Sequence, residues 1–133
     1  MKRSGRTLRW ALLLGLVLSV PACLAAAAGA GAAGAIAWTQ RGASSTVAGS
    51  VGQVYERTQA VFAEMGITQT GQSSDSQGAE RSLRGTRGEL DVTVAIERET
   101  DSTSRVEVYA RKSAVEWDRS FARDVLARIV SRR

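Results

Sequence analysis

The chain has 133 residues, 44% of them hydrophobic and 23% charged, with a formal net charge of +5. That length holds one small domain with a modest core and little else. With no histidine and a single cysteine, the composition excludes an internal disulfide, a Ser-His or Cys-His catalytic pair and the usual zinc ligand sets.

The first element is an export head. Lys2, Arg3, Arg6 and Arg9 form a basic start with no acid among them, and Trp10 to Val20 is an apolar run. This is the layout of a signal peptide, with the basic end retained on the cytoplasmic side. The run is too short to cross a bilayer alone, which takes about 20 residues. Those four cations carry most of the net charge. The basic balance is therefore no nucleic-acid footprint, and no nucleic-acid partner is expected.

The run closes on Val20-Pro21-Ala22-Cys23, which resembles a bacterial lipobox. The resemblance implies lipidation of the Cys23 thiol, cleavage before it and acylation of the new amino terminus. Pro21 is an uncommon occupant of that motif. Several acyl chains give firm anchoring, since each buried methylene contributes about 0.8 kcal/mol. Two other readings stay open: a signal peptide without lipid, and an uncleaved anchor in which Cys23 is a small buried hydrophobe. Leu24, where an aspartate would favour inner-membrane retention in this class, leans towards the outer membrane.

Leu24 to Ala37 is almost entirely alanine and glycine. It reads as a spacer between anchor and domain, or else as the second half of one apolar segment, Trp10 to Trp38, crossing the bilayer with Trp38 at the interface. Small residues at such spacings let membrane helices approach closely. The expected division is a signal peptide at 1–22, a lipidated cysteine and linker at 23–42, and a folded domain at 43–133.

Ser44 to Gly49 reads as an edge strand. Ser50 and Gln53 then form a capping box, and Val51, Val54, Tyr55, Thr58, Val61, Phe62 and Met65 recur at helical spacing. Gly66 supplies the left-handed residue that ends a helix. Ile67 to Gln72 and Ala79 to Arg84 read as strands, separated by a turn at Asp75–Gly78, with Gly85–Gly88 as a further turn. Leu90, Val92, Val94 and Ile96 alternate with polar neighbours in a strand over Glu89–Glu97. After a turn at Asp101–Thr103, Ser104 to Arg111 returns with Val106, Val108 and Ala110 on one face and Arg105, Glu107, Tyr109 and Arg111 on the other. Ser113 and Glu116 suggest a second capping box, opening a helix with a stripe of Trp117, Phe121, Ala122, Val125, Leu126 and Ile129.

The order β-α-β-β-β-β-α predicts an α+β two-layer sandwich, an antiparallel sheet with two helices on one face. Tyr55, Phe62, Val92, Val94, Val106, Val108, Trp117, Phe121 and Leu126 are the expected core.

Certain passages point to a family. They are Val54-Tyr55 through Ala63 to Gly66-Ile67-Thr68; the Ser104-Arg105-Val106-Glu107-Val108 strand; and Asp118, Ser120, Leu126 and Ile129 in the closing helix. Together with the lipobox and the Ala/Gly junction, they resemble a domain-of-unknown-function family of small bacterial lipoproteins. The resemblance extends over the whole chain. It implies an envelope location and the sandwich fold, and it brings no catalytic residues.

For chemistry the sequence offers little. Asp75, Glu80, Glu89 and Asp91 are the candidate paired carboxylates, and they read as a solvated face. No phosphate-binding glycine motif follows a strand. No enzyme activity, cofactor or metal is expected. The surface to watch is basic: Arg111, Lys112, Arg119, Arg123, Arg128, Arg132 and Arg133, suited to anionic headgroups or an acidic envelope partner. The expectation is a lipid-anchored protein of the cell membrane or outer membrane, its domain facing the periplasm and acting as a structural or interaction module. The alternative is a periplasmic small-ligand or lipid carrier with a cleft between Tyr55/Phe62 and Trp117/Phe121.

Overall fold

The computed structural model describes residues 34–133. Cys23, the signal peptide and most of the Ala/Gly stretch lie outside the described residues. The domain is a six-stranded antiparallel sheet covered on one face by two helices. In chain order the elements are β1 (Ala37–Trp38), β2 (Gly42–Ala48), α1 (Val51–Glu64), β3 (Thr68–Ser74), β4 (Glu80–Arg87), β5 (Leu90–Arg98), β6 (Thr103–Arg111) and α2 (Arg119–Ser131). Across the sheet they run β1-β2-β6-β5-β4-β3. Helix α1 carries the chain from one side of the sheet to the other. The meander β3 to β6 then brings it back beside β2, and α2 closes over β2 and β6. The predicted α+β sandwich is therefore the fold, with one short extra strand at its start.

Helix α1 begins at the predicted capping box. Ser50 Oγ accepts from the Gln53 amide at 3.4 Å, and Gln53 Oε1 accepts from the Ser50 amide at 3.0 Å. It ends in a Schellman arrangement. Gly66, at φ +67°, donates to the Ala63 carbonyl, and the Ile67 amide donates to the Phe62 carbonyl at 2.8 Å. Between these caps Val51, Val54, Tyr55, Thr58, Val61 and Phe62 are buried. They meet Leu83, Val92, Val94, Ile96, Val106 and Val108 from the sheet, and Ala122, Val125, Leu126 and Ile129 from α2. Full burial of each large apolar side chain stabilises by about 1.5–3 kcal/mol. The conformational entropy lost on ordering the chain offsets most of that gain.

Four details differ from the sequence reading. Strand β2 is not an edge, because Ala37–Trp38, from the tail of the Ala/Gly stretch, pairs along it; the Gly34 amide also reaches the Thr46 carbonyl at 2.8 Å. Gly85–Arg87 is strand rather than turn, and the reversal comes at Gly88, φ +60°. Gly85 marks a close approach: a Cβ there would stand 2.6 Å from Ile67 Cγ2 and 2.9 Å from Phe62 Cε2. The α1-to-β3 corner rests on bare backbone, so the glycine signal that reads as a turn is a packing requirement.

The third correction is at α2, which starts at Arg119. Its cap is Asp118, whose Oδ1 accepts from the Phe121 amide at 2.9 Å. The hydroxyl of Ser113 does accept from the Glu116 amide at 3.2 Å, but the bond closes a loop. There the Lys112 amide donates to the Glu116 carbonyl, and the Asp118 amide to the Ala110 carbonyl at 2.8 Å. Sheet-type bonding beside β6 wins over a first helical turn. The fourth follows from it. Trp117 bridges to Arg111 and so stands on the uncovered face of the sheet, not in the core. Phe121 packs only partly against the core.

Candidate functional site

The seven predicted basic residues do not form one surface. Arg111 lies on the open face of the sheet, 3.3 Å from Asp91. Lys112 pairs with Glu116 at 3.7 Å in the loop before α2. Arg128 and Arg132 both grip Glu64 of α1, at 2.6 and 2.9 Å, and tie the two helices together. Arg133 is exposed at the chain end. Arg119 and Arg123, one turn apart on α2, each place a guanidinium 5.6 Å from the Trp38 ring. Trp38 is 54% exposed on β1, so this edge presents an indole with two cations over its ring. The candidate carboxylates do not converge either. Asp75 Oδ1 accepts from the Glu80 amide at 3.0 Å within its turn, Glu89 sits in the β4–β5 turn, and Asp91 is held by Arg111.

A second surface lies on the open face of the sheet. Alternation directs Arg84, Thr93, Tyr109 and Arg111 away from the helices. Register then sets Arg84 opposite Thr93 and Thr93 opposite Tyr109, one row across three strands. Two strand spacings separate the ends of that row, about 10 Å. Asp91 and Arg111 form the next row along. Trp117 flanks the row with its ring edge-on to Tyr109 (6.4 Å, 63°), and Arg41 lies 5.5 Å over the Trp117 ring. On the far side, the β3–β4 register slips between Gln69 and Gly71, leaving Thr70 as the extra residue of a bulge that turns it towards the same space. These groups enclose a hollow of about 380 Å³, within the range of small-ligand sites, about 300–1,000 Å³.

The electrostatics of this hollow are uneven. Of the groups lining the hollow, Arg41, Arg84 and Arg111 are cationic and Asp91 alone is a carboxylate, with Glu107 beside Tyr109 at the margin. Among the described residues neither Arg41 nor Arg84 is paired with a carboxylate. Burial pushes the Tyr109 phenol up to about 12, and the Glu107 carboxylate beside it adds to the shift against the opposing pull of Arg41. Tyr109 therefore keeps its proton at neutral pH and directs it to the Glu107 carboxylate. Among the described residues no group of three acidic or cysteine side chains is placed to hold a metal ion.

The strand alternation already put Tyr109 and Arg111 on the wetter face. No local signal joined Arg41, Arg84 or Thr70 to them, and the helical reading of Ser113–Trp117 hid Trp117.

A family model described as a protein of unknown function (DUF3568) matches residues 7–130. The chain belongs to that family. The DUF3568 match starts inside the basic head and runs through the apolar segment, Cys23 and the Ala/Gly stretch into α2, so head and domain fall within one family unit. No curated protein matches the chain.

Proposed function

We propose that this DUF3568 protein is a lipid-anchored component of the bacterial cell envelope, held through Cys23. Its domain faces the periplasm and binds another envelope component without catalysing a reaction. The observation that carries the reading is the Trp38 edge. The chain enters the domain along β1, and there an exposed indole stands beside Arg119 and Arg123. An amphipathic ring with flanking cations suits the headgroup level of an anionic membrane. The residues between Cys23 and Gly34 span at most about 36–40 Å when extended, at about 3.3–3.6 Å each, so the edge stays within reach of the anchor. The basic n-region, the apolar run and the cysteine that closes it support export and lipidation.

The carrier alternative required a cleft between Tyr55/Phe62 and Trp117/Phe121. Trp117 stands on the opposite face of the sheet, and Tyr55 and Phe62 are buried in the shared core. That arrangement leaves no such cleft.

Intact mass of the membrane-extracted protein, measured beside a Cys23→Ser variant, tests the anchor. The expected result is loss of residues 1–22 with addition of acyl chains, both absent from the variant. An unmodified full-length mass would instead make Trp10 to Trp38 an uncleaved anchor, and a cleaved but unacylated mass would make the protein a soluble export product.

A further inference from the structure

The hollow on the open face shares no lining residue with the Trp38 edge. Its floor is the outward row of β4, β5 and β6, with Thr93 at the centre. Its rim carries Arg84 and Thr70 on one side and Tyr109, Trp117 and Arg41 on the other. A sheet face that only needed to be soluble would be served by paired charges. The far end of this same face is built that way: Arg105 lies 3.5 Å from Glu99, which also accepts from Thr46 at 2.8 Å. At the hollow one pair remains, Arg111 with Asp91, and two further guanidinium groups, Arg84 and Arg41, line the same space with no carboxylate partner among the described residues.

We propose that this hollow binds a sugar-sized ligand bearing one phosphate or carboxylate group. Arg84 and Arg41 take the anionic group, since a guanidinium offers two parallel donors to either oxyanion. Arg111 stays oriented by Asp91 and adds to the positive field. The Tyr109 hydroxyl, whose proton Glu107 holds, accepts, and Thr70 and Thr93 can both donate and accept, which suits the hydroxyls of a ring. The edge of the Tyr109–Trp117 pair supplies the apolar wall. The bulge at Thr70 has a role here, because a regular β3–β4 ladder would carry no extra residue at that point.

The test is calorimetric titration of the full-length protein in detergent micelles with glucose 6-phosphate, glucuronate, glucose and inorganic phosphate. Saturable binding of glucose 6-phosphate or glucuronate is expected, and the tighter of the two identifies the head group. Glucose and inorganic phosphate are expected to bind at least about tenfold more weakly, each lacking one half of the contacts. Arg84→Ala, an exposed site that the fold tolerates, is expected to weaken binding about tenfold or more, with Arg41→Ala acting in the same direction. Arg105→Ala, at the paired end of the same face, is expected to bind like the parent. The proposal is overturned if none of the four compounds binds, if glucose binds as tightly as its charged derivatives, if inorganic phosphate binds as tightly as the sugar phosphate, or if neither Arg84→Ala nor Arg41→Ala changes the affinity.

Discussion

Tyr109 stands near the middle of the open face, edge-on to Trp117, with Glu107 and Arg41 as its charged neighbours. Its phenol is raised to about 12 from an unfolded value of about 10. A raised acid binds its proton more tightly in the folded state. The stability it contributes is therefore complete below pH 10 and is lost as pH climbs from about 10 to about 12. In a Tyr55→Phe background Tyr109 is the only tyrosine left, so absorbance at 295 nm follows it alone. The expected midpoint is near 12, falling to about 10 when the protein is denatured. A native midpoint near 10 would show that burial and Glu107 together do not hold the phenol protonated against Arg41. The same residue shows how far alternation reads. Its outward direction follows from its place in the strand, whereas its neighbour Trp117 comes from a segment whose conformation depends on the sheet.

The two helices make a matched comparison at the level of elements. Each is preceded by a serine with Gln or Glu three residues on, Ser50/Gln53 and Ser113/Glu116, but only the first is a helix cap. At α1 nothing competes for the chain, and the apolar stripe starts at once with Val51. At Ser113 the chain has just left β6. The Arg111–Trp117 bridge and the bond from the Asp118 amide to the Ala110 carbonyl hold the next residues against the sheet. The helix waits for Asp118. Asp118→Ala is accordingly expected to cost about 1 kcal/mol, within the range of about 0.5–2 kcal/mol for a lost N-cap. Ser113→Ala, which removes two long, exposed loop bonds, from the Val115 and Glu116 amides, should cost less than half as much. Urea midpoints of the two variants against the parent decide it. A larger loss from Ser113→Ala would restore the earlier helix start.

As a whole molecule the protein has two differently used sides. Helices and core close one face of the sheet; the other face stays open; and β1 with the first two turns of α2 makes a basic aromatic edge beside the point where the chain enters. If that edge meets the membrane, Trp38 lies at headgroup depth. Mature lipidated protein, whose tryptophans are Trp38 and Trp117 once residues 1–22 are removed, reconstituted in vesicles of anionic lipid carrying a shallow spin label should then show tryptophan quenching that is lost in Trp38→Phe. Zwitterionic vesicles should quench it less, because Arg119 and Arg123 lose their counter-charges. Equal quenching of Trp38→Phe and parent in anionic vesicles would remove the edge from the membrane.

The local signals by themselves determined the Ser50 cap, the Gly66 stop and the alternating strands. Each is written within a few adjacent residues as a hydroxyl three positions from an amide, a left-handed glycine or a period of two. Those elements in that order were enough for the sandwich, since one apolar sheet face and two apolar helix stripes have few ways to bury one another. The tertiary structure alone decided what needs partners far apart in the chain. Gly85 is a packing site because Phe62 and Ile67 descend on it. Trp117 leaves the core because β6 captures the loop that carries it. Seven basic residues of one stretch of sequence divide among Glu64, Asp91, Glu116, Trp38 and open solvent. Arg41, Arg84 and Tyr109 meet around one hollow because register across four strands, unlike periodicity along one, is set by the whole sheet at once.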